Sequence, residues 1–322
     1  MKIGLIDVDG HSYPNLPLMK ISAWHKAKGD HVEWYQPMFS GHMDKVYMSK
    51  VFSFTPDYEW CIDADEVIKG GSGYCIELVD GKEIFHKDRD HDLPPEIEHI
   101  YPDYSIYPEY TKDTAYGFLT RGCPRGCGFC HVASKEGKCS YKVADLSEFW
   151  SGQKNIVLND PNILACPDHL DLLQQLVDSK AKVEFNQGID VRLITEKNLE
   201  LIKQIPMKYI HFAYDRIKDK EIVEPRLKAF KEATGYGHRK VMVYILVNFE
   251  TTFEQDLERI YFCRELDFDP FVMVYDKEHC KPIYKKLQRW VNNNFIFWSV
   301  PTFEEYDHSG KGIKNDKRRT KD

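Results

Sequence analysis

Three cysteines lie within eight residues of one another in the segment TRGCPRGCGFCHV, residues 120–132. Cys123, Cys127 and Cys130 follow the spacing C-x3-C-x2-C, and His131 stands directly behind the last of them. Thiolates in one short loop can hold a metal ion or an iron–sulfur cluster, and a Cys-x-x-Cys-His run can attach a haem. The function of the chain depends on which of these groups the loop holds.

The residues weigh against haem and zinc. Cys127 to His131 fits the haem pattern, but covalent attachment accompanies export, no signal peptide pattern is visible, and Cys123 would have no role. A structural zinc site needs four donors, usually as two separated pairs. Here the fourth donor would be the distant Cys139 or His131, and a residue adjacent to Cys130 rarely points at the same metal.

An iron–sulfur cluster fits the spacing best. One loop with C-x3-C-x2-C spacing can wrap three corners of a [4Fe–4S] cube. Gly122, Gly126 and Gly128 would permit the positive φ angles that such a wrap requires. Three ligands for four irons leave one iron open, and an open iron can bind a substrate or a cofactor.

Regular elements must position this loop. From residue 114 onward, apolar segments alternate with amphipathic ones, which predicts strands and helices in turn. The candidate strands are AYGFLT, NIVLND, KVEFNQ, KYIHFAYD, KVMVYILVN and PFVMVYD. Such alternation predicts right-handed parallel βα units, whose sites form at the carboxyl edge of the sheet. Thr195 is a predicted helix N-cap, with Asn198 three residues later.

Other regions flank this array. The predicted organisation is a small open α/β sheet at 1–80, an acidic, proline-rich linker at 81–112, a core at 113–300 and a C-terminal segment with a basic tail at 301–322. Near the start, DVDGH puts Asp7, Asp9 and His11 after a strand, where a site can form, although a solvated loop also explains them.

The composition is that of an ordinary globular protein, with 42% hydrophobic and 30% charged residues. A net charge of −7 gives no general reason to expect nucleic-acid binding, although residues 311–322 carry six basic and two acidic residues. No apolar run approaches the roughly 20 residues that span a bilayer, and nine cysteines do not suit a disulfide scaffold. We expect a cytoplasmic protein with no membrane partner.

The segment CPRGCGFC, placed after the first strand of a βα array, resembles the signature of the radical S-adenosylmethionine (SAM) enzymes. Phe129, before the last cysteine, is typical of that family, and the similarity covers roughly residues 114–300. It implies an α/β fold with a partial (β/α)6 TIM-like barrel, a [4Fe–4S] cluster and SAM as cofactors. Cys123, Cys127 and Cys130 would be the cluster ligands. In that family the open iron chelates SAM, one electron breaks its C5′–S bond, and a 5′-deoxyadenosyl radical abstracts hydrogen from the substrate.

The resemblance also implies SAM contacts at the strand ends. Phe129 would pack near the adenine. Asp160 and Asn162 follow the second strand, where the family places polar contacts, although both residue types also favour turns and helix caps. Arg192 follows the third strand, where an arginine suits the SAM carboxylate or an ordinary ion pair.

Two more candidates follow the fourth and fifth strands. Asp215 takes the place of a carboxylate that relatives hold near the ribose or the amino group of SAM. Glu250 belongs to a segment similar to the family's Gly-Leu-Pro-Gly-Glu-Thr passage, with Asn248 and Phe249 in place of Pro-Gly. Glu250 would equally suit the acidic position at a helix N-terminus.

Residues 1–80 resemble the cobalamin-binding-like domain that precedes the radical domain in a large subgroup of the family. A strand, the helix-like NLPLMKISAWHKAKGD, a second strand and the Gly70-Gly71 pair carry this similarity, which implies a small Rossmann-like domain. The region is short for a five-stranded sheet, and the D-x-H-x-x-G motif is missing. Bound cobalamin is therefore not favoured.

The predicted function is radical SAM chemistry on an unidentified substrate, with an electron donor such as flavodoxin or ferredoxin. One alternative is a cobalamin-dependent radical SAM methyltransferase. Another is a non-catalytic iron–sulfur or zinc protein that binds nucleic acid through residues 311–322. The residues do not name a substrate, because substrate contacts in such folds come from variable loops.

Overall fold

A computed structural model describes residues 1–80 and 82–307 of the chain. The chain divides into two compact units, unit 1 at Met1–His211 and unit 2 at Phe212–Asp322. The predicted basic tail at 311–322 lies outside the described residues. In the part of the chain that is described, no helix combines the length and the apolar character needed to cross a membrane.

A four-stranded parallel sheet opens unit 1. Its strands are β1 (Lys2–Asp7), β2 (His31–Trp34), β3 (Met43–Ser49) and β4 (Ala64–Gly70). Helix α1 (Leu16–Ala27) connects β1 to β2, and the Asn15 side chain caps it by accepting from the Leu18 N–H. The strand order is β2-β1-β3-β4. Because β2 and β3 flank β1, the topological switch point lies between β1 and β3.

The side chains of β1 alternate between the two faces of this sheet, as strand geometry requires. Ile3 and Leu5 pack with Leu18 of α1 in one apolar cluster, and Ile97 joins them from the predicted linker. Ile6 belongs to a separate cluster on the other side. An apolar strand buried on both faces is typical of a parallel sheet.

Short elements fill the segment that was predicted to be a linker. They are β6 (Lys82–Phe85), α3 (Pro95–Glu98) and α4 (Pro108–Thr111), and α2 (Ser72–Cys75) and β5 (Ile76–Val79) come just before it, at the end of the predicted small domain. The segment is packed on the first sheet, since the Tyr107 hydroxyl donates to Asp7 at 2.6 Å and Asp103 pairs with Lys26 of α1 at 2.5 Å.

The cysteine loop lies in the second half of unit 1. The elements here are β7 (Thr114–Gly117), β8 (Thr120–Arg121), α5 (Val132–Lys135), β9 (Tyr141–Lys142), β10 (Asn155–Leu158), α6 (His169–Ser179), β11 (Lys182–Ile189) and α7 (Glu196–Gln204). Strand β10 pairs in parallel with both β7 and β11. The predicted cap of α7 is confirmed, because Thr195 and Asn198 form a reciprocal capping box.

Strand β12 (Met207–Ala213) runs across the division between the units. The elements of unit 2 that follow are α8 (Lys220–Thr234), β13 (Val241–Val247), α9 (Phe253–Glu265), β14 (Asp269–Val274), α10 (Pro282–Val291) and α11 (Asn294–Ser299). Strands β13 and β14 are parallel. The predicted α/β class with parallel sheets is confirmed, and closure into a partial (β/α)6 barrel stays a prediction.

Candidate functional site

The three predicted ligands share the loop between β8 and α5. Their thiols are free of disulfides, with Cys123 and Cys127 half-buried and Cys130 exposed. The Cys123 N–H donates to Gly137 O at 3.3 Å, and the Cys130 N–H donates to Cys127 O at 3.0 Å. Phe129 lies half-buried between the last two cysteines. Among the described residues, no three His, Cys, Asp or Glu side chains converge closely enough to hold a single metal ion.

Two of the three glycines in this loop adopt the positive φ angles that the wrap was expected to need. Gly122 has a φ of 78° and Gly126 a φ of 56°. The expectation is wrong for Gly128, whose φ is not positive. The physical reason is the bond from Cys130 N–H to Cys127 O, which closes a four-residue turn that central residues with negative φ can make.

The Glu136 carboxylate anchors the start of the loop. One oxygen accepts from the Gly122 N–H at 3.0 Å, and the other accepts from the Arg121 guanidinium at 3.0 Å. Gly122 also lies against the backbone of Cys139, because a Cβ at this position would stand 2.1 Å from Cys139 O. The loop backbone therefore starts from a fixed position, set by a charge-assisted contact and a close backbone approach.

Asp160 lies just after β10 and contacts the residues that lead into the loop, and its side chain is buried. Its carboxylate accepts from the Leu119 N–H at 3.1 Å, the Thr120 N–H at 2.5 Å and the Thr120 hydroxyl at 2.6 Å. Burial raises the pKa of this carboxyl to about 6, against the hydrogen bonds from Thr120 and Leu119, which lower it. The arrangement ties the end of β10 to the strand that leads into the cysteine loop.

Asp160→Ala is expected to lower the free energy of unfolding by about 2–4 kcal/mol, because two backbone N–H groups and a hydroxyl lose their buried acceptor. Asp160→Asn keeps one acceptor oxygen and should cost less. Urea denaturation measures both changes. The matched control is Asp178→Ala, which removes an exposed carboxylate on α6. It should change the free energy of unfolding by less than about 0.5 kcal/mol. Equal losses for Asp160→Ala and Asp178→Ala would contradict the anchoring role.

Asn162 is buried beside the first cysteine. Its Nδ2 lies 3.6 Å from Cys123 Sγ, and its backbone carbonyl accepts from the Ser140 hydroxyl at 3.0 Å. Its Oδ1 has no hydrogen-bond partner within the described part of the chain. A buried amide oxygen without a donor costs about 1–3 kcal/mol. A bound group that offers a donor next to Cys123 would remove this cost.

Arg192 follows β11 and takes part in a small charge cluster. Its Nε donates to Asp190 Oδ1 at 2.7 Å, and Arg125 of the cysteine loop donates to Asp190 Oδ2. Burial alone would raise the pKa of Asp190, but the two arginines lower it overall, so this carboxylate is ionised near neutral pH. Through Asp190, the end of β11 holds both the predicted Arg192 and the middle of the cysteine loop.

The two remaining predicted residues belong to unit 2. Asp215 is half-buried and accepts from the Leu246 N–H at 3.0 Å. Glu250 is exposed and has a φ of 52°, and Asn248 two residues earlier has a φ of 66°. Both therefore adopt the left-handed conformation that glycine accepts most easily, at positions near those where the family passage carries glycine.

A buried ion pair holds this strained turn. Asp256 accepts from the Asn248 N–H at 3.1 Å and from the Thr251 hydroxyl at 2.7 Å. Asp256 also pairs with Arg259, and both side chains are fully buried. Arg259 in turn donates to the Leu246 carbonyl at 2.9 Å. Helix α9, which carries Asp256 and Arg259, therefore fixes the geometry of the turn after β13.

Sequence reasoning missed Glu136, Arg125 and Asp190 as residues that shape the loop. Arg125 was visible as a lone basic residue between two of the cysteines. Its partner could not be found from the pattern, because Asp190 lies 65 positions further along the chain. Nothing in the spacing of Glu136 points to a contact with Gly122.

No family model matches the chain, and the search of curated proteins found no match. Solved structures of SuiB from Streptococcus suis are similar to parts of it. The SAM-bound structure matches with 16% identity and a TM-score of 0.32 over 45% of this chain and 36% of that one. The structure with precursor peptide SuiA matches with 14% identity and a TM-score of 0.37 over 60% of this chain and 47% of that one. A further SuiB structure matches with 15% identity and a TM-score of 0.39 over 66% of this chain and 53% of that one. This chain spans about a third to a half of the SuiB chains.

Proposed function

We propose that this chain is a radical SAM enzyme acting on a substrate not yet identified. The observation that carries the proposal is the loop of Cys123, Cys127 and Cys130, three thiols that form no disulfide, on a backbone whose start is held by Asp160 and Glu136. Three thiolates suit a [4Fe–4S] cluster with one open iron.

The residues around the loop fit such a cluster. The left-handed Gly122 and Gly126 let the chain wrap around a bulky group. The Asn162 amide stands at 3.6 Å from Cys123 Sγ, and hydrogen bonds to cluster sulfurs raise the reduction potential. The unpartnered Asn162 Oδ1 is an acceptor for a further polar group at the same place.

SAM is the cofactor that we propose for the open iron. Asn162 would accept a hydrogen bond from its amino group, and Arg192, oriented by Asp190, would bind its carboxylate. Phe129, Asp215 and Glu250 are the further contacts that the family resemblance implies. We assign Asp160 to positioning, because three donors already occupy its carboxylate.

The chain's own contribution to the reaction is to bind and orient. Cys123, Cys127 and Cys130 would hold the cluster, which when reduced would supply the electron for cleavage of the C5′–S bond of SAM to a 5′-deoxyadenosyl radical. Glu136 and Asp160 hold the cysteine loop through its backbone, which keeps the thiols in one arrangement. The electron donor that we propose is a flavodoxin or a ferredoxin.

The same proposal covers the finer architecture. Residues 113–300 would form a partial (β/α)6 barrel. Residues 1–80 would form a Rossmann-like, cobalamin-binding-like domain, in which bound cobalamin is not favoured. The proposal places the enzyme in the cytoplasm. The parallel β10–β11 and β13–β14 pairs are compatible with the barrel.

The test is anaerobic reconstitution of the full chain with iron and sulfide, followed by SAM, a reductant and mass spectrometry of the products. We expect 5′-deoxyadenosine and methionine in equal amounts, formed only in the presence of reductant. A protein that holds four irons and never cleaves SAM would overturn the enzyme proposal. Cobalamin retained after supplemented purification would favour the methyltransferase, and one zinc ion with nucleic-acid retention would favour the non-catalytic alternative.

A further inference from the structure

A crevice lies at the carboxyl edge of the first sheet. It has a volume of about 340 Å³ and is lined by residues 5–8 at the end of β1, residues 34–35 at the end of β2, His11, and residues 56–60 after β3. Ligand sites typically enclose about 300–1,000 Å³. The carboxyl edge near a topological switch point is also where open α/β sheets bind their ligands. Position and size therefore both suit a small ligand.

The charges of the lining exclude the usual phosphate-bearing occupants of such a place. Asp7, Asp57 and Glu59 face the crevice, whereas its described lining contains no lysine or arginine. Asp57 pairs with Lys69 at 2.8 Å, but Asp7 and Glu59 have no basic partner among the described residues. A phosphate or a carboxylate here would meet the carboxylates of Asp7 and Glu59, which have no compensating cation among the described residues.

His11 does not supply the missing positive charge. Partial desolvation lowers the pKa of this histidine, so its ring is neutral at pH 7. The ring packs edge-on against Trp34, with centroids 4.2 Å apart. His11 therefore extends the aromatic wall and leaves the crevice negative.

Aromatic side chains form much of the remaining wall. Trp34, Tyr58 and Trp60 line it, and Trp60 is 71% exposed. The indole N–H of Trp34 donates to Ile106 O at 3.3 Å, which holds that ring in place. Rings of this kind attract cations over their faces, by about 0.5–2 kcal/mol each. Acidic groups beside aromatic faces are the chemistry that recognises an ammonium group.

We propose that this crevice binds a small organic cation, an ammonium group on an aliphatic stem. Asp7 supplies the ionic contact, and the Trp34 and Trp60 rings cover the stem and the charge. The source is either a free amine or the side chain of a lysine in a peptide, since the two present the same group. The inference is independent of the cysteine loop and of SAM.

The surroundings of Asp7 support this assignment. Its Oδ2 accepts from the Tyr107 hydroxyl at 2.6 Å, which fixes the carboxylate at the end of β1. Burial raises the pKa of Asp7 to about 6, so near pH 7.5 it is ionised at a cost that a bound cation offsets. The neighbouring Asp9 stabilises the loop after β3 instead, because its carboxylate accepts from the Val51 N–H and the Thr55 hydroxyl.

The loop that carries His11 also reaches the second sheet of unit 1. The Tyr13 hydroxyl donates to Asn159 Oδ1 at 3.0 Å, and Asn186 Nδ2 donates to the same oxygen at 2.9 Å. Asn159 immediately follows β10, one residue before Asp160. A cation in the crevice would therefore touch a loop that contacts the strand ends of the candidate site.

Calorimetric titration of the full chain, without SAM or reductant, tests the proposal. The probes are N-acetyl-lysine methylamide, 1,5-diaminopentane, the neutral N-acetyl-norleucine methylamide and the anionic N-acetyl-glutamate methylamide. We expect at least one of the two cations to bind about tenfold or more tightly than the neutral compound, and the anion not to bind. Tighter binding of the diamine assigns a free amine, and tighter binding of the lysine derivative assigns a peptide side chain.

Two variants locate the site. Asp7→Asn removes the charge and keeps an acceptor for Tyr107, and Trp60→Ala removes a ring that is largely exposed. Each should weaken cation binding about tenfold, whereas Glu66→Gln, an exposed acid on β4 that pairs with Lys45, should not change it. The proposal is overturned if the neutral probe binds as tightly as the cations, if both variants bind normally, or if no cation binds up to about 10 mM.

Discussion

Replacing Cys127 with alanine is expected to abolish 5′-deoxyadenosine formation and to remove most of the bound iron after reconstitution. Cys127 is the middle ligand of the three. A cluster held by the two remaining thiolates would lack one iron ligand and the negative charge that this ligand carries. Changes to outer contacts of metal sites cost about 10–100-fold in affinity or activity, and loss of a direct ligand should exceed that range. Visible absorption, iron content and product formation are the three measurements.

The matched control is Cys61→Ala. Cys61 is an exposed thiol of unit 1 outside the cysteine loop, and its one described contact uses the backbone carbonyl, which accepts from the Tyr35 hydroxyl. This variant should keep its iron and its activity. If Cys127→Ala retained a full cluster and cleaved SAM, the loop would not be the ligand set. If Cys61→Ala lost iron to the same degree, the effect would reflect general damage by thiol removal.

Gly122→Ala should have the second-largest effect, this time on the architecture of the loop. The new methyl group would stand 2.1 Å from the Cys139 carbonyl oxygen, and the residue would have to keep a φ of 78°. Left-handed backbone costs an alanine about 1 kcal/mol, and a clash with backbone that cannot move adds about 1–3 kcal/mol. We expect a loss of about 2–4 kcal/mol in the free energy of unfolding, measured by urea denaturation, together with impaired cluster loading.

Gly126→Ala separates the two causes. Gly126 also has a positive φ, of 56°, but a Cβ there would meet no atom within 4 Å. Its substitution should lower the free energy of unfolding only by the cost of left-handed backbone, about 1 kcal/mol. A similar cost for both variants would show that the close approach to Cys139 does not constrain the loop. A larger cost for Gly126→Ala would contradict the geometry described for the loop.

Local pattern and spacing determined much of this protein without any structure. The apolar segments predicted strands β7 and β10 to β14, and Thr195 with Asn198 predicted the start of α7. The short strands β8 and β9 were not predicted. The glycines of the cysteine loop predicted left-handed backbone at Gly122 and Gly126. These features could be predicted because each depends on residues within a few positions of one another, where hydrogen bonding and sterics leave few choices.

The tertiary structure alone decided what the polar residues at the strand ends contact. Asp160 was predicted to be a ligand contact, and its carboxylate engages backbone 40 positions earlier in the chain. Arg125 and Asp190 are 65 positions apart, and the crevice of Asp7 brings together Trp34 from the end of β2 and Trp60 from the loop after β3. Residue types at strand ends show that a polar group will be present at that edge. Which partner it contacts depends on how strands distant in sequence pair and pack, and periodicity carries no information on that.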